Sequence, residues 1–169
     1  MPSEEEFFHA INNLKENKSP GLDGLPIEFY KQFWHFLKKH YLSMILEAKE
    51  LGLLPFSTST SVLSLIHKND VREKLTNYRP LSLSNYDYKI LAYVFSERLQ
   101  QVLPHIIHTD QVANVKGRYI GCHIRNILDI YDYTEKYNTP GALLLADFEK
   151  AFDSIEIPFV IAVLRKFWR

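Results

Sequence analysis

Only one cysteine, Cys122, occurs among the 169 residues. An internal disulfide is therefore excluded, and the thiol usage fits a reducing compartment. Such a lone cysteine is expected to behave as a small buried hydrophobe rather than a nucleophile. No apolar run approaches the roughly 20 residues that a membrane-spanning helix needs. The opening residues Met1-Pro2-Ser3-Glu4-Glu5-Glu6 are acidic and lack an apolar core, so they are not expected to act as a secretory signal. Repeats, low-complexity tracts and linkers are missing, which leaves one domain, or one large piece of a bigger domain, with no internal boundary. Net charge is missing too, with 20 basic and 20 acidic side chains. The balance gives no overall pull toward nucleic acid, but its distribution is uneven. Residues 61–125 carry nine Lys/Arg against five Asp/Glu, an excess of +4, whereas the segments before and after are each −2.

Aromatic residues, by contrast, are abundant at 14%. A chain of this length can bury roughly 70% of its unfolded surface, so a genuine core is expected. Ser3-x-x-Glu6 has the form of a capping box and opens an amphipathic helix carrying Phe7, Phe8, Ile11 and Leu14 on one side. Ser19-Pro20-Gly21 and Asp23-Gly24 are turn signals. Pro26 suits the start of a helix through Phe29, Phe33, Trp34 and Leu37, and a separate helix is expected from Tyr41 to Leu51, closed by Gly52. Residues 61–66 and 78–83 read as the two strands of a hairpin, with Pro80 favouring a sheet edge. A long helix follows from Tyr86 until Pro104 disturbs it. Residues 108–119 read as loop, and residues 120–137 as a helix with Ile124, Ile127, Leu128 and Tyr131 on one face. A last helix is expected around Pro158 to Trp168.

The chain is organised around Ala142-Leu143-Leu144-Leu145-Ala146-Asp147, which follows a Pro140-Gly141 turn. The uninterrupted apolar run reads as a strand buried on both faces, ending at a carboxylate. A carboxylate at a strand end is held rigidly, as a metal ligand must be. The simpler reading is that Asp147 or Ser154 caps the next helix, and both readings stay open on this stretch alone. His105-x-x-His108 with Cys122-His123 is a weaker constellation, since Pro104 breaks helical register and no second cysteine exists to complete a zinc site.

Residues 145–153, Leu-Ala-Asp-Phe-Glu-Lys-Ala-Phe-Asp, resemble the first catalytic motif of reverse transcriptases from LINE-type (non-LTR) retrotransposons. Further matches occur in order. Asn17-Lys18-Ser19-Pro20-Gly21-Leu22-Asp23-Gly24 with Glu28-Phe29-Tyr30 resembles the segment preceding the fingers, and Asn77-Tyr78-Arg79-Pro80-Leu81-Ser82-Leu83 with Lys89-Ile90-Leu91 resembles the fingers. Asp110-Gln111-Val112 with Gly117-Arg118 resembles the turn before the palm helix, so the likeness runs from about Asn17 to Arg169.

The resemblance implies an α+β fold, the fingers and partial palm of a right-hand polymerase, helix-rich with short antiparallel strands. About 1–56 would be an N-terminal helical segment, about 57–120 the fingers and about 121–169 the start of the palm. Its partners would be an RNA template, a DNA primer and deoxynucleoside triphosphates, with no membrane, in a nuclear or cytoplasmic ribonucleoprotein. Polymerases of this kind use two Mg2+ ions about 3.5–4 Å apart, Mn2+ being able to substitute. Asp147 would be the first carboxylate on them and the backbone carbonyl of Phe148 a further oxygen. Phe152 would be the steric gate against a 2′-hydroxyl, because a ring there cannot shrink away. Arg79 and Lys68 would hold the incoming triphosphate, the first as a bidentate fork and the second as a point charge. Lys116 and Arg118 would touch template phosphate.

Two departures matter. Ala113-Asn114 stands where the family commonly has Gly-Phe, which would loosen the template turn, and His67-Lys68-Asn69-Asp70 stands where the family usually has Pro-Lys and then a Gly. The family's second metal motif, an aromatic-x-Asp-Asp hairpin, is expected downstream of Arg169. Residues 1–169 alone are therefore expected not to polymerise, and an unpaired 142–147 edge is expected to promote self-association. The alternatives are a non-catalytic retroelement remnant binding nucleic acid through Lys68, Arg79 and Arg118, or a metal-dependent nuclease built on Asp147 and Glu149.

Overall fold

The computed structural model describes residues 1–68, 71–147 and 154–167. The chain divides into two compact units, Met1–Arg118 and Tyr119–Arg169. In the first, the capping box forms as its sequence pattern requires. Ser3 Oγ accepts from the Glu6 amide at 3.3 Å while Glu6 Oε2 accepts from the Ser3 amide at 2.6 Å, opening helix α1, Glu4–Asn13. Helix α2, Ile27–Leu51, is one helix of 25 residues where two were expected. Lys38-Lys39-His40 contains no breaker, and lysine is a good helix former, so nothing interrupts the hydrogen-bond ladder. Gly52 closes it in the left-handed region at φ 70°, donating to the Ala48 carbonyl.

A short helix α3, Phe56–Ser59, leads into strand β1, Ser61–His67, which pairs antiparallel with β2, Tyr78–Ser84. The register runs from Ser61 opposite Ser84 to His67 opposite Tyr78, matching the expected hairpin, and Pro80 sits opposite Leu65 on a strand with one open edge. Helix α4, Tyr86–Ile106, passes through Pro104 rather than stopping at it, because the Ile107 amide still reaches the Leu103 carbonyl at 2.9 Å.

The core lies among α1, α2 and α4. Phe7, Ile11, Ile27 and Ile90 are fully enclosed, and Trp34, Tyr41, Ile45 and Val94 nearly so. Each such side chain contributes about 1.5–3 kcal/mol on leaving water. Phe7 and Trp34 both meet Tyr41 edge-on, with ring centroids 5.2 and 5.6 Å apart. Phe8, Phe33 and Phe95, which spacing assigned to apolar faces, stay exposed, since these helices bury only the side turned to one another.

The second unit contains helix α5, Gly121–Lys136, and helix α6, Ile157–Phe167. Both carry apolar stripes, yet no described residue of this unit is buried. Ile124, Ile127, Leu128 and Tyr131 are exposed, and so is Cys122, contrary to the expectation of a buried thiol. Residues 142–147 form no strand, because no other described strand of this unit lies beside them to complete a ladder. Leu144 is 88% exposed instead of buried on both faces. Residues 141–143 instead lie against Ile127, Ile130, Tyr131 and Thr134 of α5, lining a cavity of about 280 Å3. The molecule is α+β, helix-rich with a two-stranded antiparallel sheet, and no described helix is long and apolar enough to cross a membrane.

Candidate functional site

The β1–β2 hairpin carries Arg79 and Lys68. Arg79 lies opposite Ile66, and the Lys68 amide donates to the Asn77 carbonyl at 2.7 Å, extending the ladder one step toward the tip. Side chains two apart along a strand share a face, so Lys68 and Arg79 are diagonal neighbours on one face, and both are exposed. Two side chains stiffen the tip. Asn77 Nδ2 donates to the Val71 carbonyl at 2.8 Å and the Tyr78 hydroxyl to the Arg72 carbonyl at 3.1 Å. On the opposite face the His67 and Tyr78 rings meet at 5.1 Å.

The root of the hairpin is seated by residues that sequence reasoning did not single out. Asn85, which joins β2 to α4, is 3% exposed. Its Nδ2 donates to the Ser57 carbonyl at 2.9 Å and its Oδ1 accepts from the Asp23 amide at 3.4 Å. Gly21 presses against it so closely that a Cβ there would lie 2.0 Å from Asn85 Oδ1. The Ser19-Pro20-Gly21-Leu22-Asp23-Gly24 turn therefore docks on the junction between hairpin and helix. Buried Thr58 donates to Asp87 Oδ2 and the Tyr41 hydroxyl to the Asp87 carbonyl, both at 2.7 Å, fixing the first turn of α4. Burial pushes the Tyr41 hydroxyl well above its ordinary range, so it stays a proton donor. The available signal was an Asn directly before a helix, a position usually read as a cap; here its side chain makes tertiary bonds instead.

A second basic feature is the turn after α4. Arg118 gives all four terminal N–H groups to backbone carbonyls. Nη1 donates to His108 at 2.5 Å and Gln111 at 2.6 Å, while Nη2 donates to Ile107 at 2.9 Å and Pro104 at 3.1 Å. Lys116 keeps an exposed side chain, with a loose 3.5 Å contact from Nζ to Glu97 Oε2. Asn114, in the place of the family's aromatic, adopts φ 60°, a left-handed conformation that asparagine tolerates far better than phenylalanine.

In the second unit Asp147 is exposed and makes no ion pair among the described residues. Phe148 and Phe152 lie outside the described residues. No three His, Cys, Asp or Glu side chains converge as a metal cage among the described residues. Magnesium does not require one, since it takes one or two carboxylates and fills its shell with water and substrate phosphate. An accessible Asp147 fits that donor set.

The reverse transcriptase (RNA-dependent DNA polymerase) family profile matches residues 66–168. The 149 kDa protein of transposon TX1 from Xenopus laevis is 39% identical over 163 residues, which are 96% of this chain and 12% of that protein. The 115 kDa protein of the type-1 retrotransposable element R1DM from Drosophila melanogaster is 25% identical over 149 residues, 87% of this chain and 14% of that one. An F-box/WD-40 repeat-containing protein of Arabidopsis thaliana is 36% identical over 89 residues, half of this chain and 20% of its own length. The chain thus spans 12% and 14% of the two transposon proteins, and its profile match includes Lys68 and Arg79 of the hairpin, the basic turn and the Asp147 segment. It belongs to the reverse transcriptase (RNA-dependent DNA polymerase) family.

Proposed function

We propose that the chain is the fingers and the beginning of the palm of a LINE-type reverse transcriptase, which copies an RNA template onto a DNA primer from deoxynucleoside triphosphates. The observation that carries this reading is the pair Lys68 and Arg79 on one exposed hairpin face, within the family match. A guanidinium fork and an ammonium at diagonal positions suit the oxygens of a triphosphate. Asn85 seats the root of the hairpin on Ser57 and the Asp23 turn, and the Lys68 amide is tied to the Asn77 carbonyl near the tip, which supports a fixed spacing of the two cations. Lys116 in the basic turn offers an exposed charge to template phosphates.

Asp147 would hold a divalent cation, Mg2+ or Mn2+, together with the main-chain oxygen of Phe148. The cation would supply charge neutralisation and activation of the primer hydroxyl. Phe152 would exclude a 2′-hydroxyl from the nucleotide site. A polypeptide of these 169 residues offers one carboxylate of the required pair, so it binds nucleotide and RNA without extending a primer.

Ultraviolet crosslinking of a radiolabelled deoxynucleoside triphosphate tests the reading. Label is expected on a peptide from residues 61–84 and is lost in Arg79→Ala. Label absent from the hairpin, or unchanged in Arg79→Ala, refutes the nucleotide site. Primer extension on an RNA template is expected to be nil; extension that Asp147→Ala abolishes would overturn the claim of inactivity.

A further inference from the structure

We propose that Arg118 and Gln100 are positioning residues, a double clamp that holds the 108–118 turn on the end of α4 so that Lys116 faces a single-stranded RNA backbone. This rests on the template-binding reading above but differs from a direct contact by Arg118. The carbonyls of Pro104, Ile107 and His108 lie at or just past the C-terminus of α4, where helix geometry leaves acceptors without intrahelical donors. The same end of the helix carries negative dipole charge, which a guanidinium neutralises. Arg118 also reaches the Gln111 carbonyl in the turn, so one planar group ties the helix end to the loop. Lysine cannot substitute, because it has three donors at one point rather than a fork.

Gln100 grips the other end of the turn with both atoms of its amide. Nε2 donates to the Asn114 carbonyl at 3.1 Å, and Oε1 accepts from the Lys116 amide at 3.0 Å. Between these bonds Val115 is 7% exposed, anchoring the turn by burial. Asn114 and Gly117 flank the Val115-Lys116 pair in left-handed conformations, at φ 60° and 81°. The backbone of Lys116 is therefore fixed while its side chain remains 70% exposed. A guanidinium whose four terminal donors face carbonyls is not positioned as a phosphate ligand; the lysine two residues earlier is.

The test uses the full chain with Arg118→Lys, Gln100→Leu, Lys116→Ala and the Arg118→Lys/Lys116→Ala double variant. Tryptic cleavage of the Lys116–Gly117 bond and exchange of the Lys116 amide report the turn. Both are expected to accelerate on the order of tenfold in Arg118→Lys and Gln100→Leu, the scale of losing one or two hydrogen bonds that tie the turn to α4. Fluorescence anisotropy with a single-stranded RNA oligonucleotide reports binding. Arg118→Lys is expected to weaken binding about as much as Lys116→Ala, and the double variant no further than Lys116→Ala alone, because both act through one contact. Unchanged cleavage and exchange in both clamp variants would overturn the clamp. Additive affinity losses in the double variant would make Arg118 a phosphate contact in its own right. Absence of RNA binding by the unmodified chain would sink the template reading, while cleavage and exchange still decide the clamp. If Arg118→Lys loses helical content by circular dichroism, Gln100→Leu, whose residue lies within α4, carries the exchange test.

Discussion

Arg98 grips Glu6 with both prongs of its guanidinium, Nε to Oε1 at 2.7 Å and Nη2 to Oε2 at 2.8 Å, joining α4 to the first turn of α1. The Arg98 hydrogen bond, then the Ser3 amide, holds the Glu6 carboxyl at about 2, well below its ordinary 4.5. The folded chain therefore binds fewer protons than the unfolded chain between these two values. Stability from this pair is complete above pH 4.5 and is lost as pH falls through the window toward 2. Both side chains stay about one-third exposed, at 32% and 35%. Screening accordingly reduces the contribution to about 1 kcal/mol. Urea unfolding at pH 7 and pH 3 should show this loss in the unmodified chain and a smaller one in Arg98→Met. Equal pH dependence in the two proteins would discount the pair.

Burial separates residues that periodicity treated alike. Ile90 is fully enclosed, whereas Ile124, also on an apolar helical stripe, is 57% exposed. Ile90→Ala should cost about 2–5 kcal/mol through lost transfer energy and the cavity left behind. Ile124→Ala should stay within about 0.5 kcal/mol. Denaturant midpoints on both variants check the contrast; comparable losses would mean that α5 is covered in solution.

Gly21 is constrained by proximity to its neighbours. A Cβ there would lie 2.5 Å from the Asn85 amide nitrogen and 2.7 Å from the Ser84 carbonyl carbon, and neither is the flexible end of a side chain. Gly21→Ala should therefore destabilise the first unit by about 1–3 kcal/mol, as overpacking does. Because the displaced residues begin α4 and end β2, exchange at the Lys68 amide should also rise. A variant with unchanged melting temperature and exchange would show that the turn does not seat the hairpin.

Local patterns were legible where the signal was itself local. The Ser3–Glu6 box, the Gly52 cap and the hairpin within residues 61–84 follow from neighbouring residues, and each forms; the pairing register came only with the structure. Asn85 and Gln100 were not legible, because their partners lie 28, 62, 14 and 16 positions away. The 142–147 run misled for a related reason. An apolar stretch states that it would be stable as a buried strand, but burial needs a second element beside it, and no described strand of its unit provides one. The charge of Arg118 did not announce that its guanidinium would meet the carbonyls of Pro104, Ile107, His108 and Gln111, three of them ten or more positions away.

Exposed leucines and unpaired backbone make residues 142–147 the place where self-association should begin. Leu143, Leu144 and Leu145 are 66%, 88% and 80% exposed. Their amides and carbonyls enter no ladder among the described residues, leaving backbone with which a second chain could pair. Burying these leucines from both copies would yield roughly 9–18 kcal/mol at about 1.5–3 kcal/mol each. Lost translational and rotational freedom costs about 4–15 kcal/mol, so the surplus is small and association should be weak. The weight-average mass from light scattering should climb with concentration across the micromolar range, and Leu144→Lys should flatten that rise. Lysine serves here because a charged residue on an open edge must be desolvated before the edge can pair. A constant monomer mass to high micromolar concentration in the unmodified chain would remove the edge as a contact surface.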